Sequence, residues 1–150
     1  MGSVGGGGGG CDYKVERWFQ GFHRMDTTAL NLVVFFSPTC HVCKEYMPGV
    51  VQDAFTTWSS RGLNLVAIAD VTAESESLLR QFIDDSSISY PVAIAPFEES
   101  GYPYDSFIGR YRGQPAALEI DPVTCKPRNQ FWGFRIEQLG SFLEKRLGSD

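Results

Sequence analysis

Long apolar runs are missing from this chain of 150 residues. No stretch approaches the roughly 18 consecutive apolar residues that a membrane-crossing helix needs. Clustered positive charge is missing too. Thirteen lysines and arginines against 18 acidic residues give a net charge of −5, and the basic residues are scattered. That leaves neither a nucleic-acid footprint nor a polybasic membrane patch. Cysteine is scarce: four residues are too few for a scaffold stapled by disulfides. Internal repeats are absent, and low complexity is confined to the glycine run near the start. What remains is 43% hydrophobic and 13% aromatic, the composition of one globular domain with a sizeable core.

Residues 1–10, including the run Gly5 to Gly10, have nothing to pack and read as a flexible leader or an expression remnant. Any natural signal peptide would then have been removed. Residues 11–150 are expected to form the domain. Cys11 would suit an acylated lipoprotein cysteine, but no apolar segment precedes it. Cys11 and Cys125 are expected to be two free thiols, with a structural bridge in an oxidising compartment as the alternative.

Periodicity supplies the elements. Tyr13, Val15, Trp18, Phe19 and Phe22 predict an amphipathic helix over residues 12–23, with His23 packing or capping its end. Residues 31–36 and 63–71 read as buried strands, apolar at consecutive positions. A helix is expected over residues 40–59, bent at Pro48, and another over 73–84. Residues 90–95 form a third strand and residues 105–111 a short helix. Strands at 116–120 and 129–133 make a hairpin, and residues 136–147 a last helix. This alternation predicts an α/β fold, a central mixed sheet with helices on both faces.

Cys40-His41-Val42-Cys43 carries the chemistry. It follows a buried strand and the turn Ser37-Pro38-Thr39, which places Cys40 at a helix N-terminus. Unpaired backbone amides and the helix dipole favour negative charge there, so the thiol sheds its proton more readily and becomes nucleophilic. Thr39 is a candidate cap, and the polar turn is expected to keep the thiol accessible. Cys43, one turn on, can close a disulfide with Cys40. His41, between the two, would stabilise the thiolate and make the disulfide more oxidising; an exposed histidine at a helix start is the plainer alternative. An inert core pair and a zinc half-site are the other readings. Zinc would need two further ligands from His23, His41, Cys11 and Cys125, which form no second paired motif.

These residues resemble the thioredoxin superfamily: Cys40-x-x-Cys43 after a buried strand, Pro48 five residues past Cys43, and Pro115 opening a late strand. A hairpin, Gly133 and an amphipathic terminal helix complete a likeness that covers most of residues 30–147. The long separation of Cys43 from Pro115 leaves room for an added helix and strand over residues 73–95. That layout is similar to the TlpA/ResA/DsbE-like branch, as are Tyr90-Pro-Val and Pro115-Ala-Ala-Leu-Glu-Ile-Asp. The resemblance implies a cis bond at Gln114–Pro115, with both residues contacting an extended substrate. It implies structural roles for Pro48 and Gly133. In thioredoxin a buried acid stands where this chain has Val34, and the cytochrome-maturation reductases place a glutamate at the position of Tyr46, next to Glu45.

The expected function is thiol-disulfide exchange with protein substrates, Cys40 attacking and Cys43 resolving, with Thr39 and His41 tuning the couple. Neither a cofactor nor a metal is required. The partners would be protein thiols or disulfides and an upstream redox protein. The resemblance implies an extracytoplasmic setting, periplasmic or tethered facing the periplasm. No sequence feature signals self-association, so a monomer is expected. The rival reading is a docking module of an envelope or secretion assembly, using the same fold with catalysis secondary.

Overall fold

The computed structural model describes Tyr13, residues 15–95 and residues 115–148. Its strands are β1 Arg17–Gln20, β2 Leu30–Phe36, β3 Leu63–Ala69, β4 Val92–Ile94, β5 Ala116–Ile120 and β6 Pro127–Trp132. They form one mixed sheet in the order β1-β4-β3-β2-β5-β6. β2 pairs parallel with β3 from Leu30 opposite Leu63 to Phe36 opposite Ala69. β4 continues the parallel set, while β5 runs antiparallel to β2 and β6 antiparallel to β5. β2 and β3 are buried at every position, which is why they read as mainly apolar runs rather than alternating ones; the exceptions, Asn31 and Asn64, are buried and hydrogen-bonded to each other at 2.7 Å.

Alternation along the strands divides the core. Leu32, Val34 and Phe36 of β2 face one way, with Leu65, Ala67 and Ala69 of β3; Val33, Phe35, Val66 and Ile68 face the other. The helices that contribute to the core pack on the first face: α1 His41–Tyr46, α2 Gln52–Trp58, α3 Glu76–Ser86 and α4 Leu139–Leu147. On the second face, among the described residues, Tyr13, Val15, Trp18, Met25 and Trp132 cover the sheet. The helix expected over residues 105–111 lies outside the described residues, as do residues 1–12.

Among the described residues of the 12–23 segment the expected helix does not form. β1 occupies Arg17–Gln20 and pairs antiparallel with β4. The apolar positions suit two periods. Read two apart, Trp18 goes to the second core and Phe19 to the first, and the free edge of β4 decides between the patterns. Gln20 fastens the strand, donating from Nε2 to Ile88 O at 3.0 Å and to Tyr90 O at 2.8 Å. His23 consequently sits in the following loop, not at a helix end, with Nδ1 2.8 Å from Asn64 Oδ1.

Pro48 does more than bend its helix. Between α1 and α2 the backbone makes a π turn, Met47–Val51. Proline has no N–H to give the carbonyl four residues back, so the hydrogen-bond ladder of the α-helix cannot run through it. Two glycines are required by their backbone. Gly62 has φ 112° where the helical segment turns into β3, and Gly133 has φ 58° where β6 turns toward α4.

Candidate active site

Cys40 is the N-cap of α1. Its backbone is extended, φ −79° and ψ 124°, and its Sγ accepts the backbone N–H of Cys43 at 3.1 Å. The sequence pointed to Thr39 as the cap. Thr39 instead stays exposed within the turn: its N–H donates to Ser37 Oγ at 3.3 Å, and the two hydroxyl oxygens lie 3.0 Å apart. A sulfur folded back onto its own helix is less accessible than expected. Cys40 is 8% exposed and Cys43 not at all. The Cys40 sulfur is thus the outer of the two.

Both cysteines are free thiols. Burial pushes the Cys43 thiol far above its ordinary range; the contact with Cys40 adds to this, and a hydrogen bond with the Ser37 backbone opposes it without prevailing. Cys43 is therefore held as a neutral thiol while Cys40 Sγ receives an amide dipole. His41 is exposed beside them on the first turn.

Sheet register brings the late residues to the same end. Phe35 of β2 pairs with Ala116, so Pro115 stands beside the last residues of β2, where the Ser37–Cys40 turn begins. Pro115 is buried, and its carbonyl accepts the N–H of Gly133 at 2.8 Å. Gln114 lies outside the described residues, and with it the Gln114–Pro115 bond. Among the described residues no peptide bond is cis, Tyr90–Pro91 included. Pro48 lies on the π turn, five residues past Cys43.

Four side chains in and around α1 make contacts that the sequence reading did not assign. Tyr46 donates to Glu137 Oε2 at 2.6 Å, and Phe134 packs edge-on against the Tyr46 ring at 6.3 Å between centroids. The Glu137 carboxylate raises the Tyr46 hydroxyl to about 12. Tyr90 is fully buried and donates to Met47 O at 2.8 Å. A tyrosine within an otherwise apolar buried strand was the available signal, since its hydroxyl must find a partner.

Cys125 corrects another expectation. It is disulfide-bonded rather than free, and it sits in the β5–β6 turn with φ 65°. Cys11 lies outside the described residues. Among the described residues no further His, Cys, Asp or Glu joins the Cys40–Cys43 pair in a cluster of three or more that would hold a metal ion. No described helix is long and apolar enough to cross a membrane.

No family model and no curated protein sequence matches the chain. Solved structures do match along nearly the whole of it. A thioredoxin-like superfamily protein is 17% identical with a TM-score of 0.69, over 93% of this chain and 96% of that one. A putative thiol:disulfide interchange protein DsbE from Chlorobium tepidum is 18% identical, TM-score 0.66, over 94% and 99%. A thiol-disulfide isomerase from Corynebacterium glutamicum is 19% identical, TM-score 0.67, over 93% and 96%. At these identities the likeness is one of architecture, and that architecture is the thioredoxin-like fold. The structures that share it include thiol-disulfide oxidoreductases, as the paired cysteines at the head of α1 had suggested.

Proposed function

We propose that the chain is a thiol:disulfide oxidoreductase acting on protein substrates. The observation that supports this best is the pairing of Cys40 Sγ with the Cys43 N–H at 3.1 Å, on a helix that hides the second sulfur behind the first. The amide hydrogen bond holds the outer sulfur at the head of α1, and the thiolate is the form of a cysteine that attacks. The Cys40 thiolate attacks one sulfur of a substrate disulfide; that S–S bond breaks, a mixed disulfide forms, and a substrate thiolate leaves. Cys43 then gives up its proton and attacks the Cys40 sulfur. The internal disulfide closes, the second substrate thiolate departs, and protons released by the dithiol end on the substrate thiols. Two electrons pass to the substrate, and the reverse sequence oxidises it.

Within this reading His41 and Thr39 tune the outer sulfur from the exposed side. Pro115 and Gln114 offer backbone to the substrate, and Pro48 and Gly133 keep the geometry. We read the helix α3 and strand β4, between β3 and β5, as the insertion of the TlpA-like branch. The disulfide at Cys125 supports an oxidising, extracytoplasmic setting. The domain then spans residues 11–150, works as a monomer and needs an upstream redox partner.

The deciding experiment is the reduction of insulin by the purified chain, with the equilibrium potential of the Cys40/Cys43 couple measured against glutathione. A value near about −270 mV makes it a reductase and one near about −120 mV an oxidant. Insulin reduction that survives Cys40→Ser/Cys43→Ser, or a couple that never closes, defeats the proposal. Retention of a cellular role by that double variant would favour the docking module instead.

A further inference from the structure

Tyr90 ties the strand beyond α3 to the helix that carries the second cysteine. Its hydroxyl donates to Met47 O at 2.8 Å in a fully buried setting, joining residues 43 positions apart. Met47 in turn donates its N–H to Cys43 O, closing the last bond of α1 before the π turn. A continuous hydrogen-bonded link therefore runs from Tyr90 through Met47 to Cys43. The need for it follows from Pro48: the π turn disturbs the regular ladder, and a buried carbonyl there wants a donor from elsewhere. Burial and the nearby Cys43 sulfur both raise the Tyr90 hydroxyl well above its ordinary range, so it remains a donor and is no base.

We propose that Tyr90 is a positioning residue for the resolving cysteine, holding the Met47 turn so that Cys43 sits correctly in the dithiol form. The inference rests on the redox reading above. The bond is present with both cysteines reduced. Closing the disulfide brings the two sulfurs to about 2.05 Å, and under this proposal the movement passes through Cys43 O to Met47 and weakens the Tyr90 bond. Tyr90 thus stabilises the dithiol over the disulfide.

The test is Tyr90→Phe, which deletes one oxygen, examined in the full chain in both redox forms. Loss of one buried hydrogen bond is expected to shift the equilibrium with glutathione about fivefold toward the protein disulfide. Chemical denaturation should show a larger loss of stability in the reduced form than in the oxidised one. A role limited to packing would lower both forms equally and leave the equilibrium unmoved; that result, or a shift toward the dithiol, overturns the proposal. If the variant does not fold, 13C-labelled tyrosine in the wild-type protein serves instead. The Tyr90 Cζ resonance should move between the two forms, and an unmoved resonance refutes the link. Failure of the wild-type couple to exchange with glutathione would count against the redox reading itself, a separate outcome.

Discussion

Cys43 donates its backbone N–H to the sulfur of Cys40, the N-cap of α1, 3.1 Å away. One residue thereby supplies the dipole that holds the outer sulfur and the second sulfur that would displace the substrate from it. Iodoacetamide at neutral pH should label Cys40 in the reduced protein and spare Cys43, whose buried thiol keeps its proton. Cys43→Ser should accumulate a mixed disulfide through Cys40, visible by mass spectrometry, while Cys40→Ser should accumulate none. Equal labelling of the two cysteines in the folded protein would contradict the arrangement.

In the wild-type protein, resolution of the mixed disulfide should quicken as the solution becomes more alkaline. The raised Cys43 thiol must lose its proton before it attacks, so the rate grows with the thiolate fraction. Single-turnover kinetics across neutral to alkaline pH would show the rise; a flat profile would mean that another step limits.

Glu119 lies on the buried strand β5, and Arg146 of α4 reaches it with two hydrogen bonds, each 3.0 Å. Burial alone would raise the carboxyl. Arg146, Asn129 and Arg128 outweigh it, and the net effect is a lowering below 4.5. Its stabilisation is therefore complete above the unfolded value and disappears as pH falls through the lower, folded one. Glu119→Gln should cost about 2 kcal/mol at neutral pH. Denaturant unfolding from pH 7 down to the acid range should show the gap between variant and wild type closing only below about pH 4.5.

At the alkaline end Tyr46 plays the opposite part. Its hydrogen bond to Glu137 raises it from 10 to about 12, so the neutral phenol is favoured in the folded chain. That contribution is fully present below pH 10 and is lost between pH 10 and about 12. Phenolate absorbance should record one late tyrosine that Tyr46→Phe removes and Glu137→Gln moves earlier.

Gly133 turns the chain from β6 toward α4 with φ 58°, and its N–H reaches Pro115 O. A Cβ at that φ costs about 1–2 kcal/mol. Gly133→Ala should lower the melting temperature by roughly 2–8 °C. An unchanged melting curve would show that the backbone relaxes at no cost.

How much could be read in advance depended on whether the signal was local. β2, β3 and β5 were legible because strands buried on both faces are mostly apolar, with Asn31, Asn64 and Glu119 as the polar exceptions. The Cys40–Cys43 spacing announced the site for the same reason, as the turn, the helix start and both sulfurs lie within seven residues. β1 was not legible: Trp18 and Phe19 satisfy a helix and a strand alike, and only the open edge of β4 selects the strand.

The amino-acid sequence alone determined the central strands, the paired cysteines at a helix start and the disturbance at Pro48. Each follows from neighbours in the chain, through steric limits and hydrophobic period. Tertiary structure alone decided that Cys40 rather than Thr39 caps α1, that Tyr90 holds Met47, that Arg146 neutralises Glu119, and that Cys125 is bonded. Those choices join groups that are distant along the chain or compete for one donor, and a buried polar atom takes whichever partner the packing brings within reach.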